Sequence, residues 1–164
     1  MKVVGTGYSF NDIADTPGTQ VSLARFTGIE VHHDSEAVTV GAGVTYTVLI
    51  EALTHEQLAL PNLPSLPHLN VVGSVVTGAH GGGIHTQTMA SSVTALRLVD
   101  PNGDIKVLTR GDEDFGHYLH SFGALGIITE MTIQAEPEYA VVKCIYEDLP
   151  WEFMRDETTY NEII

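Results

Sequence analysis

Ile127 to Gln134 alternates apolar and polar residues, with Ile127, Met131 and Ile133 on one face and Glu130, Thr132 and Gln134 on the other. That period of two predicts a half-buried strand. Val3-Val4, Gln20–Ala24, Ile29–His33 and Ala37–Gly41 are short, Val-rich or alternating runs divided by turn residues, and they read as further strands. The period then changes. After Thr45, a candidate N-cap, Tyr46, Leu49, Ile50 and Leu53 follow the i, i+3, i+4, i+7 spacing of an amphipathic helix. Val93–Asp100 and Ile105–Thr109 flank the turn signal Pro101-Asn102-Gly103-Asp104 and predict a hairpin. Asp112–Ser121 predicts a short helix, Tyr139–Tyr146 a last strand, and Pro150 or Trp151 the start of another helix. Strands and helices mix without strict alternation, so the class expected is α+β rather than a doubly wound sheet.

Composition changes the picture at one place. From Gln57 to Leu96, 40 residues contain no Asp, Glu, Lys or Arg, although such residues make up 17% of the chain. Within this run Pro61–Gly83 holds three prolines, five glycines and two histidines. Asn70 is placed to cap a short helix, Val71–Thr77, with a small apolar face. A helix start carries free amides and a partial positive charge, and glycines let a ligand approach the backbone closely. No Lys or Arg lies between Arg25 and Arg97, so an anion held here must be held by amides, hydroxyls and the helix dipole. A close-packed glycine crossing in the core is the competing reading, and composition does not choose between them. A second glycine loop, Gly5-Thr6-Gly7-Tyr8-Ser9, follows Val3-Val4, and a third close-approach point, Ser121–Ile128, precedes a strand.

Three other patterns point to chemistry less well. Gly41-Ala42-Gly43 mimics the start of a dinucleotide fingerprint, but Tyr46 stands where the third glycine belongs. Gly73 to Gly78 has P-loop spacing, but Ala79-His80 replaces the Lys-Ser/Thr that NTP hydrolysis needs. His32-His33-Asp34, His80 with His85 and His117 with His120 suggest metal ligands. Neighbouring strand residues point to opposite faces, however, and no Cys/His set appears, so no metal site is expected. The net charge of −14 and seven dispersed basic residues argue against a nucleic-acid surface. No apolar run approaches a membrane span. The single Cys144 fits a reducing compartment, so a cytoplasmic location is expected.

The stretches GTGYSFNDIAD, ALPNLPSLPHLNVVGSVVTGAHGGG and GALGIITEMTIQAEPEY, in this order, resemble the PCMH-type FAD-binding domain of the vanillyl-alcohol-oxidase superfamily. Within it they are most similar to alditol (xylitol) oxidases, then to aldonolactone oxidases. The likeness covers nearly the whole chain, including YEDLPWE. It implies the larger subdomain of that domain, a mainly antiparallel sheet flanked by helices. Residues 1–149 would be a partial FAD-binding domain and 150–164 the start of a substrate domain, so a piece of a longer protein is expected.

The resemblance also implies site residues. The FAD diphosphate would lie between the loop Gly5, Thr6, Gly7, Tyr8 and Ser9 and the segment carrying Ser65, Asn70, Gly73, Thr77, Gly78, Ala79 and His80. The backbone of Ile128 would meet the adenine. Tyr8 occupies the position at which the family usually has a histidine bonded to the flavin, so the FAD is expected to be non-covalent. No catalytic acid or base is expected in this chain, and a polyol or lactone substrate would be met only by a full-length protein. A non-catalytic FAD-binding or interaction module, and a remnant that folds poorly, are the rival readings.

Overall fold

The computed structural model describes residues 1–83, 86–155 and 158. β1 (Lys2–Val4) and β2 (Gln20–Ser22) form a small parallel pair. β3 (Ile29–His32) and β4 (Ala37–Gly41) make a hairpin, followed by α1 (Tyr46–His55), β5 (Leu58–Ala59) and α2 (Val71–Val76). β6 (Val93–Val99) and β7 (Ile105–Thr109) form the hairpin expected at the Asn-Gly turn. α3 (Phe115–Leu119), β8 (Ile127–Gln134) and β9 (Glu136–Pro137) complete the elements that position the site. The main sheet runs β3-β4-β8-β6-β7, antiparallel throughout, while β9 pairs with β5. The expected α+β class with a mainly antiparallel sheet is thus the architecture observed.

Val38 and Val40 of β4, Leu96 and Leu98 of β6 and Met131 and Ile133 of β8 supply the sheet's side of the core. α1 buries Tyr46, Leu49 and Leu53 as its spacing predicts. Each of those leucines contributes about 1.5–3 kcal/mol relative to an exposed position.

The register of β8 departs from simple alternation. Arg97 opposes Glu130 but Leu98 opposes Ile128, so Thr129 is an extra residue in the ladder. One extra residue inverts the facing of everything before it. Ile128 is therefore in the core and Ile127 only half-buried, the reverse of the face expected for Ile127.

Other expectations are corrected. Gln20–Ala24 is strand only to Ser22, and the Asp112–Ser121 helix shortens to α3. Tyr139–Tyr146 is not a strand: Val141 and Val142 are 79% and 90% exposed, and among the described residues no strand pairs with them. A β-strand exists only on a partner edge, and the pairing here is made earlier, by Glu136-Pro137 on β5. The helix expected at Pro150 or Trp151 is one 3-10 turn, Trp151–Met154, and residues 156, 157 and 159–164 of that segment lie outside the described residues.

Candidate functional site

Residues 43–47 and 67–71 run side by side and fix the start of both helices. The first amides of α1, Tyr46 and Thr47, donate to the carbonyls of Leu69 and Pro67 at 3.1 and 2.7 Å. Thr45 therefore occupies the N-cap position with no side-chain capping bond. The Val71 amide donates to the Val44 carbonyl at 3.0 Å. Asn70 stands at the N-cap position of α2 but does not cap it either; its buried side-chain amide donates to the Gly43 carbonyl at 3.1 Å, with longer contacts to Ala42 and Val44. At α1 the neighbouring backbone takes the role expected of Thr45; at α2 it takes only the Val71 amide, and Asn70 ties the helix to the Gly41–Gly43 turn.

That turn is crowded. A Cβ on Gly41 would lie 2.3 Å from the Phe26 carbonyl oxygen, and one on Gly43 2.6 Å from that of Leu23. Chain crossing explains these glycines without a dinucleotide.

α2 is fixed from below and at both ends. Ser74 donates to the Val71 carbonyl at 2.8 Å, which commits its only proton, so the buried Tyr46 hydroxyl donates to Ser74 at 2.7 Å. Burial pushes the Tyr46 phenol above its ordinary pKa, with the Ser74 bond pulling the other way. At the C-terminal end Gly78 has φ +74°, its amide meets the Val75 carbonyl and the Ala79 amide meets that of Ser74. This is a Schellman cap, which satisfies the helix's last carbonyls.

The structure brings two other glycine stretches to α2. Gly5 lies so close to Asn70 that an added Cβ would be 2.8 Å from Oδ1. The Tyr8 ring rests on the His68 ring, centroids 4.4 Å apart. At the other end the Phe122 amide donates to the Val76 carbonyl at 3.2 Å, and His120 approaches the Gly78 position. Thr6, Gly7, Ser9 and Ser65 are exposed. Thr77 turns its hydroxyl back to the Gly73 carbonyl, and exposed His80 makes a ring contact to the Gly81 carbonyl at 3.0 Å. Ile128 lies in β8, on which α2 packs; β8 outruns β4 there, so Ile127 and Ile128 pair only with β6. Reading the sequence named His120 only as a candidate metal ligand and gave His68 no role of its own. His68 stands inside the quoted SLPH motif, but only the fold puts Tyr8 against it.

Three of the histidines expected not to bind metal have local side-chain partners. His32 bonds Thr39 at 2.9 Å, His33 reaches Glu56 at 3.2 Å and His117 reaches Asp114 at 3.6 Å. His85 lies outside the described residues.

Gly73 has no such internal reason, and Gly116 in α3 has none either. Gly73 sits inside a helix, where glycine costs about 1 kcal/mol relative to alanine. A Cβ there would meet only the Asn70 Cβ at 3.5 Å, an ordinary contact. Gly81 and Gly82 beyond it have nothing within 4 Å. α2 thus has room beside Gly73, and its two ends are met by the loop at Gly5 and the loop at Phe122. These residues fit a dinucleotide diphosphate in kind: backbone amides, the exposed hydroxyls of Thr6, Ser9 and Ser65, and no Asp or Glu from Gln57 to Leu96.

The chain is 38% identical over 156 residues to an alditol oxidase of Streptomyces sp., a match covering 93% of this chain and 37% of that protein. It is 30% identical over 142 residues to an L-gulono-1,4-lactone dehydrogenase of Mycobacterium tuberculosis, covering 86% of this chain and 33% of the relative. It is 36% identical over 140 residues to a putative D-arabinono-1,4-lactone oxidase of Neurospora crassa, covering 84% and 25%. The chain thus spans between a quarter and just over a third of the length of these relatives. A family model described as FAD binding domain matches residues 1–109, through the Gly5 loop, α2 and the first sheet hairpins, and to that family the chain belongs.

Proposed function

We propose that this chain holds the FAD of a flavin-dependent oxidoreductase that oxidises a C–OH carbon of a sugar alcohol or an aldonolactone, with O2 as acceptor and H2O2 as product. The reading of substrate class rests on the names of the relatives. The reading of the site rests on Gly73, a helical glycine that neither packing nor backbone conformation requires. The diphosphate would lie over Gly73 between the Gly5–Ser9 loop and the segment from Ser65 to His80, with the backbone near Ile128 toward the adenine. Bound flavin would supply the hydride-accepting chemistry. This chain's part is to bind and orient: Asn70 sets the distance between the two glycine stretches, and the Schellman cap at Gly78 leaves Thr77 and Ala79 at the edge of the surface. Tyr8 has no imidazole nitrogen, so the FAD is held without a covalent bond. No residue of this chain is assigned to take the substrate's hydroxyl proton.

Fluorescence titration of the chain with FAD is the test. Gly73→Val should weaken binding at least about tenfold, the range expected of forcing methyl groups into a filled space. Its far-UV circular dichroism should stay near that of the parent, because the added Cβ finds ordinary contact within the chain. Acid precipitation of the loaded protein should leave the flavin in the supernatant. Equal affinity in the variant overturns the cradle, and colour retained in the pellet overturns the non-covalent bond.

A further inference from the structure

The Pro101-Asn102-Gly103-Asp104 turn that joins β6 to β7 holds a reactive pair of residues. Five asparagines occur in the chain, and Asn102 alone is followed by glycine; the others precede Asp12, Leu63, Val71 and Glu162. A neighbour without a side chain leaves its backbone nitrogen open to approach. Asn102 is exposed, and a Cβ built on Gly103 would find nothing within 4 Å. The side chains of Asn11, Asn62 and Asn70 are bonded to the Ile13 amide and to the Gln87 and Gly43 carbonyls. That of Asn102 has no partner among the described residues; only its backbone amide is held, by the Asp100 carboxylate at 2.8 Å.

We propose that Asn102 is the residue at which this chain deamidates, and that Asp100 sets the pace by holding the turn closed. In the reaction the Gly103 backbone nitrogen attacks the Asn102 side-chain carbonyl carbon. The proton of that nitrogen and the side-chain NH2 leave as ammonia, and a five-membered imide closes. Water then opens the imide at either carbonyl, giving aspartate or isoaspartate, with no change of oxidation state. The folded turn withholds the nucleophile, because the Gly103 amide donates to the Asp100 carbonyl at 3.0 Å. Asp100 grips the turn further: one carboxylate oxygen accepts the Asn102 and Asp104 amides, and the other pairs with Lys106 at 3.1 Å. Attack therefore waits for the turn to open, a local event that needs less free energy than unfolding. The product weakens what held it. A carboxylate at position 102 would join those of Asp100 and Asp104 beside the single Lys106, and isoaspartate adds a main-chain carbon next to the pair Val99–Ile105. β7 is an edge strand, so no second neighbour resists the loosening.

Peptide mass spectrometry of the whole chain, held folded at mildly alkaline pH and sampled over weeks, is the test. Asn102 should convert to aspartate and isoaspartate while Asn11, Asn62 and Asn70 stay intact. Its rate should be at least about tenfold below that of the same chain unfolded in guanidinium chloride, since only the open turn reacts. Asp100→Asn should convert Asn102 about fivefold faster than the folded parent, the difference between a charged and a neutral acceptor for the turn amides. The introduced amide is no new site, because it precedes Pro101, whose nitrogen carries no proton. Lys106→Gln leaves the amide bonds in place and removes only the ion pair, so it should accelerate conversion about twofold, and it serves if Asp100→Asn does not fold. Conversion of another described asparagine ahead of Asn102 overturns the site. Equal rates in the folded and unfolded parent, or a folded Asp100→Asn that ages at the parent's rate, overturn the part given to Asp100.

Discussion

Gly43 and Gly73 look alike in the sequence and differ in the folded chain. An added Cβ at Gly43 would press on the backbone oxygen of Leu23 at 2.6 Å, which cannot swing aside as a side-chain end could. Gly43→Ala should therefore cost about 1–3 kcal/mol, as overpacking does. Gly73→Ala should be neutral or stabilise by up to about 1 kcal/mol, through helix propensity. Urea midpoints of the two variants check this; a destabilised Gly73→Ala would mean that the helix glycine serves packing after all. Nothing in the sequence separates them, because the partner of Gly43 is 20 positions away on the β2–β3 connection. Asn70 teaches the same lesson. Its place before an apolar run predicts a cap, yet its amide turns to Gly43 because another segment's backbone was already in reach.

Elements whose partners are local were legible. The β6–β7 hairpin follows from Pro101-Asn102-Gly103-Asp104, and Asp100 shows how the turn is held. The Asp100 carboxylate accepts the Asn102 and Asp104 amides at 2.8 and 3.0 Å and pairs with Lys106 at 3.1 Å. Burial by itself would raise its pKa, but the Asp104 amide, Lys106 and the Asn102 amide together outweigh burial and hold it below the ordinary value of 3.8. A depressed folded pKa means that the unfolded chain takes the proton first. The stabilisation is thus complete above the ordinary value and fades as pH falls through the lower folded one. Asp100→Asn keeps the side-chain oxygen but loses the ion pair. It should be less stable than the parent near neutral pH, with the gap closing in acid below 3.8. Urea midpoints of both proteins across that range test it, and a gap that widens in acid would refute the assignment. The β8 bulge was not legible, since an extra residue leaves no mark on a string that still alternates around it.

At the scale of the molecule, five antiparallel strands and α1 and α2 share one core; Tyr139 still bonds the Leu60 carbonyl, and 140–148 stands apart. Val141, Val142, Ile145 and Tyr146 are exposed and unpaired among the described residues. Trypsin needs an extended, unpaired backbone, so among Arg97 in β6, Lys106 in β7 and Lys143 it should cut first after Lys143. Mass spectrometry of a short digest reads the order. Early cleavage at Arg97 would mean that the β6–β7 hairpin opens more readily than the exposed segment. No helix of the described residues is long and apolar enough to cross a membrane.

The sequence by itself determined the class of fold, the places of β3, β4, α1, α2 and the β6–β7 hairpin, and the family, through glycine stretches whose order no simple composition would repeat. These depend on periods, turn residues and motifs that are written within a few positions of one another. Tertiary structure alone decided that Tyr139–Tyr146 has no strand to join, that Thr129 inverts the start of β8, and that Tyr8 meets His68. It also decided which glycines are consumed by packing and which, like Gly73, are not. The reason is one of distance along the chain. A residue's own type sets what it can bond, but which bonds remain to be made depends on groups brought in from tens of positions away.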